Sequence, residues 1–237
     1  MKVIGIIPAR YASSRFPGKP LADILGESMI QRVYEQCKKA NSLSAVIVAT
    51  DDKRIFNHVL DFGGKAMMTS NSHPSGTDRC NEVIQSLNEK YDIAINIQGD
   101  EPFINPEQIN QIVSFFSSPE ISISTLAKKI ETLSLLTDVN SPKAIFDKNG
   151  IAQNFCRSIT QIKPNQTYYK HIGIYGYRSQ TLAKICKLPP SENEKTERLE
   201  QLRWLDNGYK IKVGITTFDS LSVDTPEDIE KIKAKLE

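Results

Sequence analysis

An α/β fold built on a mostly parallel sheet is what this sequence predicts, and three observations predict it. Apolar runs at residues 3–7, 45–49 and 93–97 are short and lack polar alternation, the pattern of strands covered on both faces. Between them lie segments with apolar residues at helical spacing, so strands and helices alternate and helices should cover both faces. Each run also ends in a polar loop, which puts reactive side chains at the carboxyl edge of the sheet, where open α/β folds bind ligands.

Taken in order, Val3, Ile4, Ile6 and Ile7 form the first strand, which runs into the loop PARYASSRFPGKPL. Met29, Ile30, Val33, Tyr34 and Cys37 then keep helical spacing, and the strand at 45–49 ends at Thr50-Asp51-Asp52. A helix over 52–61 stops at Gly63-Gly64, and a short strand follows through Ala66, Met67 and Met68. The polar loop 69–76 opens a helix carrying Val83, Ile84 and Leu87, after which the strand at 93–97 ends at Gln98-Gly99-Asp100-Glu101-Pro102. The second half is less regular. Strands are expected at 121–126, 144–146 and 170–177, the last with Ile172, Ile174 and Gly176 on one face; a loop is expected at 162–167, one helix over 194–206 and a strand over 210–216. Thr225 as N-cap, Pro226 at the first helical position and Asp228 three residues after the cap announce a final helix that buries Ile229, Ile232 and Leu236. No linker composition separates two halves, so residues 1–237 are expected to form a single domain, with an accessory lobe at about 120–180.

With 237 residues and 39% hydrophobic content, the chain can bury a full core. A formal charge of +2 is too mild for a nucleic-acid surface, so any basic loop is local chemistry. No apolar run reaches membrane-spanning length, and Met1-Lys2 lead directly into the first strand with no signal peptide; a cytoplasmic protein with no membrane partner is expected. Cys37, Cys80, Cys156 and Cys186 are scattered without C-x-x-C spacing, which fits reduced thiols.

Three cations, Arg10, Arg15 and Lys19, stand in the loop after the first strand, among small residues that let a ligand approach the backbone. Charge and access together suggest phosphates. The loop is neither a G-x-G-x-x-G fingerprint, since it holds only Gly18, nor a Walker loop, since Pro20 follows Gly18-Lys19 where a hydroxyl is required. Ser75-Gly76 opens a helix at the same edge, with Arg79 beside it; a plain helix cap closed by Asp78 is the competing use of that serine. Asp100 and Asp224 end strand regions, and magnesium takes one or two carboxylates together with phosphate oxygens. No Ser-His-Asp or Cys-His constellation has a convincing context.

PARYASSRFPGKPL, VATDD, SGTDR, NIQGDEP, HIGIYGYR, LEQLR and VDTPED resemble, in order and spacing, the motifs of the 3-deoxy-manno-octulosonate cytidylyltransferases, also called CMP-Kdo synthetases. The likeness spans nearly the whole chain. It implies a Rossmann-like nucleotidyltransferase sheet and a magnesium-dependent reaction of CTP with the acid sugar 3-deoxy-manno-octulosonate (Kdo). The products would be CMP-Kdo and pyrophosphate, for lipopolysaccharide or capsule assembly, made by a cytoplasmic homodimer whose lobe binds sugar and dimerises. By the same resemblance Arg10, Arg15 and Lys19 would hold the triphosphate, Ser75, Gly76 and Arg79 the base, and Asp100 and Asp224 the magnesium. Arg10, Lys19, Asp100 and Asp224 would carry the transfer; Gln98 would touch both substrates, and Arg157, His171, Tyr175, Glu200 and Gln201 would form the sugar pocket.

The departures from the family fall on the sugar side. A PxxVKVV segment is replaced by Ser141-Pro142-Lys143-Ala144-Ile145-Phe146, and FSR-x-x-IP by Phe155-Cys156-Arg157-Ser158-Ile159-Thr160-Gln161. A related ulosonic acid such as 8-amino-Kdo is therefore the alternative substrate, and a non-catalytic nucleotide or sugar sensor is the alternative of another class. Retention of both Asp100 and Asp224 disfavours the sensor.

Overall fold

A computed structural model describes residues 1–12, 16–159, 161–163, 166–219 and 221–236, without the side chains of Lys235 and Leu236. Arg15, Thr160 and the burial of Leu236 thus lie outside what is described. The chain divides into two compact units, Met1–Asn110 with Ser220–Glu237, and Gln111–Asp219.

The first unit runs β1 (Val3–Ala9), a small hairpin of β2 (Asp23–Ile24) and β3 (Glu27–Ser28), α1 (Met29–Lys38), β4 (Ala45–Thr50), α2 (Lys53–Asp61), β5 (Ala66–Met68), α3 (Gly76–Ser86) and β6 (Ile93–Asn96). α4 (Pro106–Ser114) follows. β1 pairs in parallel with β4 and β6, and β5 adds to β4, giving the order β6-β1-β4-β5. Ile4, Ile6, Ile7, Ile93 and Ile95 are fully buried, as expected of strands covered on both faces; each such side chain contributes about 1.5–3 kcal/mol by leaving water. α1 buries Met29, Ile30, Val33, Tyr34 and Cys37 and begins where Ser28 Oγ accepts the Gln31 amide at 3.2 Å.

The second unit holds β7 (Ile123–Lys129), α5 (Ser134–Thr137), β8 (Lys143–Phe146), β9 (Ala152–Cys156), β10 (Tyr169–Arg178), α6 (Ser179–Ile185), α7 (Glu192–Glu197), α8 (Gln201–Asp206) and β11 (Ile211–Thr216). β11 is parallel to β7, whereas β10 runs antiparallel to β7 and β8, and β9 antiparallel to β8. Three expectations are corrected here. β7 starts at Ile123 and continues to Lys129, because Ile211 through Thr216 pair along its length. β9 was not expected, since in Ala-Gln-Asn-Phe-Cys only Ala152 and Phe155 are buried, too few to show a period of two. The helix over 194–206 is two helices, broken where Arg198 adopts φ 53 and ψ 47; Ser191 and Glu194 form a capping box that starts the first of them at Glu192.

α9 (Pro226–Leu236) belongs to the first unit, where Val223, Ile229 and Ile232 pack with Ile24 and Met29. Its start is as the sequence predicts. The Asp228 carboxylate accepts the amides of Asp224 and Thr225 at 3.1 and 3.0 Å, and the Asp228 amide donates to the Thr225 carbonyl at 3.1 Å. Burial opposes ionisation of Asp228, but Lys231 and these two amides outweigh it and bring the carboxyl down to about 2. Among the described residues no helix is long and apolar enough to cross a membrane.

Candidate active site

β1 ends at Ala9, so Arg10 emerges at the carboxyl edge of the sheet. Its guanidinium donates to the His73 carbonyl. The loop bearing that carbonyl is tied down in turn by Glu82 on α3, whose carboxylate meets the His73 ring and accepts the Ser70 amide at 2.9 Å. Burial pushes the Glu82 carboxyl up, yet these two contacts hold it below its ordinary value. Gly18 stands at φ 74, and a Cβ there would lie 3.1 Å from the Tyr11 ring, so this turn requires glycine.

Lys19 links the Asp100 carboxylate to the backbone just before Asp224, the other residue expected to hold metal. Its Nζ donates to Asp100 Oδ2 at 2.7 Å and to the Val223 carbonyl at 2.8 Å, while the Val223 amide donates to the Asp100 carbonyl at 2.9 Å. Asp100 is thereby brought beside the segment that carries Asp224. The α9 cap is made by Asp228, which leaves capping with no need of the Asp224 carboxylate. Gly99 is required for close approach, since a Cβ there would stand 2.8 Å from the Pro8 carbonyl oxygen.

Ser75 caps α3 as the plainer alternative has it: Oγ accepts the Asp78 amide at 3.2 Å and donates to Asp78 Oδ2 at 2.6 Å. Arg79 is fully buried. One of its nitrogens donates to Thr69 Oγ1, and another stands 3.5 Å from Asp51 Oδ1, an ion pair longer than a good hydrogen bond. Nε, Nη2 and Asp51 Oδ1 have no hydrogen-bond partner among the described residues, and burial lowers the guanidinium pKa against the pull of Asp51. A buried cation with unspent donors is costly unless a ligand supplies acceptors. In the sequence, the only pointer to Asp51 is its place directly after β4.

Arg10, Lys19, Ser75, Gly76, Arg79, Gln98 and Asp100 all line one cavity of about 320 Å³, walled by Pro8, Pro20 and Pro74. A larger cavity of about 560 Å³ in the second unit contains none of the expected residues. No group of three or more His, Cys, Asp and Glu capable of holding a metal occurs among the described residues. Two carboxylates fit magnesium, which keeps waters and phosphate oxygens in its shell, better than a metal that needs a full protein cage.

In the second unit, β10 and α8 carry three of the five residues expected around the sugar, His171, Tyr175 and Gln201. Trp204 stands edge-on to Tyr175 and Tyr177, with centroids at 5.2 and 5.5 Å, and so fixes α8 against β10. His171 lies between Phe155 and Tyr175, and burial lowers its pKa to about 3, leaving the ring neutral. Burial, with Glu200 nearby, keeps the Tyr175 phenol protonated well above its ordinary range. Gln201 is 5% exposed, and its Nε2 has no partner among the described residues. Glu200 precedes α8, next to the strained Arg198 corner. Arg157 donates to the carbonyls of Glu197, Val139 and Arg198 at 2.6, 2.9 and 3.0 Å. The guanidinium is thus held by carbonyls with no ion pair among the described residues, while the Arg157 backbone amide donates to Glu197 Oε2 at 3.0 Å.

Residues 4–211 match the cytidylyltransferase family. The chain is 55% identical to a 3-deoxy-manno-octulosonate cytidylyltransferase of Parabacteroides distasonis over all of this chain and 98% of that protein. It is 50% identical to the protein so named from Bacteroides thetaiotaomicron, over 97% of this chain and 96% of that one. Among solved structures, a CMP:2-keto-3-deoxy-manno-octonic acid synthetase complexed with CTP superposes with a TM-score of 0.94 at 40% identity, over 100% of this chain and 98% of that one. A Bacillus anthracis structure named for a glucose-1-phosphate thymidylyltransferase shares the fold alone, with a TM-score of 0.68 at 16% identity over 98% of this chain and 94% of that one. Motifs, fold and whole-length identity converge: the chain belongs to the cytidylyltransferases and, within them, to the 3-deoxy-manno-octulosonate cytidylyltransferases.

Proposed function

We propose that the protein transfers CMP from CTP to Kdo, forming CMP-Kdo and pyrophosphate for lipopolysaccharide or capsule assembly, as a cytoplasmic homodimer using magnesium. The observation that carries this reading is the cavity in which Arg10, Lys19 and Arg79 converge with Gln98 and Asp100. Such a set suits a triphosphate and a base. Kinship with enzymes named for Kdo supplies the acid sugar.

In this reaction the anomeric hydroxyl oxygen of Kdo forms a bond to the α-phosphorus of CTP, and the bond from that phosphorus to the β-phosphate bridging oxygen breaks. Pyrophosphate leaves with the electron pair, and the hydroxyl proton passes to solvent. Phosphoryl-type transfer depends mainly on positioning and charge neutralisation. Arg10 and Lys19 neutralise phosphate charge; the His73 carbonyl and Asp100 keep them aimed. Arg79 and the start of α3 offer donors to the base. Asp100 and Asp224 would hold magnesium, which when bound neutralises charge on the transferring and leaving phosphates. On the sugar, Arg157 attracts the carboxylate while Tyr175, Glu200, Gln201 and His171 pair with hydroxyls, since buried groups left unpaired are costly.

The test is phosphorus NMR of a mixture of enzyme, CTP, Kdo and magnesium. Expected is loss of CTP with matched growth of a phosphodiester signal and of pyrophosphate, abolished by a chelator. Hydrolysis of CTP to CMP without a sugar phosphodiester would contradict the reading.

A further inference from the structure

A break in the register of β10 brings two carbonyls and one imidazole onto a single hydroxyl, and the proton count there decides the chemistry of His171. β10 slips against β7 between Ile172 and Tyr175. Thr125, fully buried on β7, has its Oγ1 2.8 Å from the Ile174 carbonyl oxygen, 3.1 Å from that of Ile172 and 3.0 Å from His171 Nε2. A hydroxyl has one hydrogen to give, and carbonyl oxygens only accept. Turned toward His171, that hydrogen would leave oxygen lone pairs facing one another at 2.8 Å. It therefore points at the carbonyls, Oγ1 meets the imidazole as acceptor, and Nε2 carries the ring hydrogen.

The ring is neutral, so it has only one N–H. Nδ1 is left as a lone pair, and no described residue donates to it. His171 keeps 8% exposure, so Nδ1 stands as an acceptor open to a donor from solvent or from a ligand that displaces it. A lone pair repels a carboxylate and accepts a hydroxyl, which separates the task of His171 from that of Arg157.

We propose that Thr125 is a positioning residue that locks His171 as the Nε2–H tautomer, so that Nδ1 accepts the hydrogen of a hydroxyl on a polyhydroxy acid. The role builds on the sugar-pocket assignment above, whereas the proton placement follows from the protein alone. Fixing a histidine tautomer through the partner of its other nitrogen is a general device.

The experiment is two-bond proton–nitrogen NMR of the ¹⁵N-labelled full chain without ligand, joined to kinetics of Thr125→Val and Thr125→Ser. Expected is a protonated Nε2 in the wild type and in Thr125→Ser, with both tautomers in Thr125→Val. That valine variant should need about tenfold more acid sugar, with its KM for CTP changed less than twofold, and serine should restore the wild-type value. A protonated Nδ1 in the wild type overturns the proposal, whatever the fate of the valine variant. So does a folded Thr125→Val protein with unchanged KM for the acid sugar. If His171→Gln alters use of CTP and not of sugar while Nε2–H is found, the pocket assignment falls and takes the substrate role with it.

Discussion

Lys19 ties together one edge of the cavity proposed to take CTP by giving one ammonium to Asp100 and to the Val223 carbonyl. Its substitution should therefore act on CTP: Lys19→Ala is expected to raise the KM for CTP at least tenfold, with the KM for Kdo little changed, as initial rates with each substrate varied in turn would show. Asp100→Asn keeps the shape and removes the charge that holds Lys19 and that, in the proposed reaction, would hold magnesium. Turnover should fall at least a hundredfold while thermal melting moves by only a few degrees, because the group is partly exposed. Near-normal kcat would remove Asp100 from the metal site. The sequence brings both residues forward only in combination, since a lone strand-end aspartate or a basic loop is more often structural or solvated, and it is two such aspartates beside a loop of three cations that point to a site. The burial of Arg79 and its unspent donors were not legible, because they depend on Thr69 and Asp51 arriving from the loops after β5 and β4. Thr125 was silent for the same reason: its role arises from a register break on a neighbouring strand.

At the scale of elements, the loop between β5 and α3 acts as a bracket for Arg10, fastened by Glu82 through the His73 ring and the Ser70 amide. Glu82→Gln weakens the bracket without touching the cavity lining. Expected are faster hydrogen exchange at the Ser70 amide and a several-fold higher KM for CTP; unchanged exchange would show that the loop is held by other contacts. The parallel strands of the first unit were readable because burial on both faces gives continuous apolar runs. Less was readable in the second unit. β9 has only two inward residues, and the break between α7 and α8 depends on Arg198 entering a left-handed conformation that propensity would assign to glycine. That break sets Glu200 and Gln201 at the start of a new helix, so the motif Leu-Glu-Gln-Leu-Arg was recognisable before its geometry was.

For the whole molecule, buried His171 makes stability depend on pH in a stated direction. Its pKa is about 3 when folded, against about 6.5 unfolded, so the unfolded chain binds the extra proton between those values. Its contribution is complete above about pH 6.5 and is lost as pH falls below that, by at most about 1.4 kcal/mol per pH unit. Asp228, held down to about 2, acts in a lower window, beginning near pH 4. Denaturant melts from pH 7 to 5 should show this decline, and His171→Gln should flatten it. The central claim, transfer of CMP to Kdo, is met most directly by the kcat/KM for pyrophosphate release with CTP and magnesium, compared across Kdo, 8-amino-Kdo and a neuraminic acid. Expected is a preference for Kdo of about a hundredfold or more, since a pocket matched to a hydroxyl discriminates strongly against a changed charge and donor pattern; no release with Kdo, or a preference for the amino sugar, would contradict it.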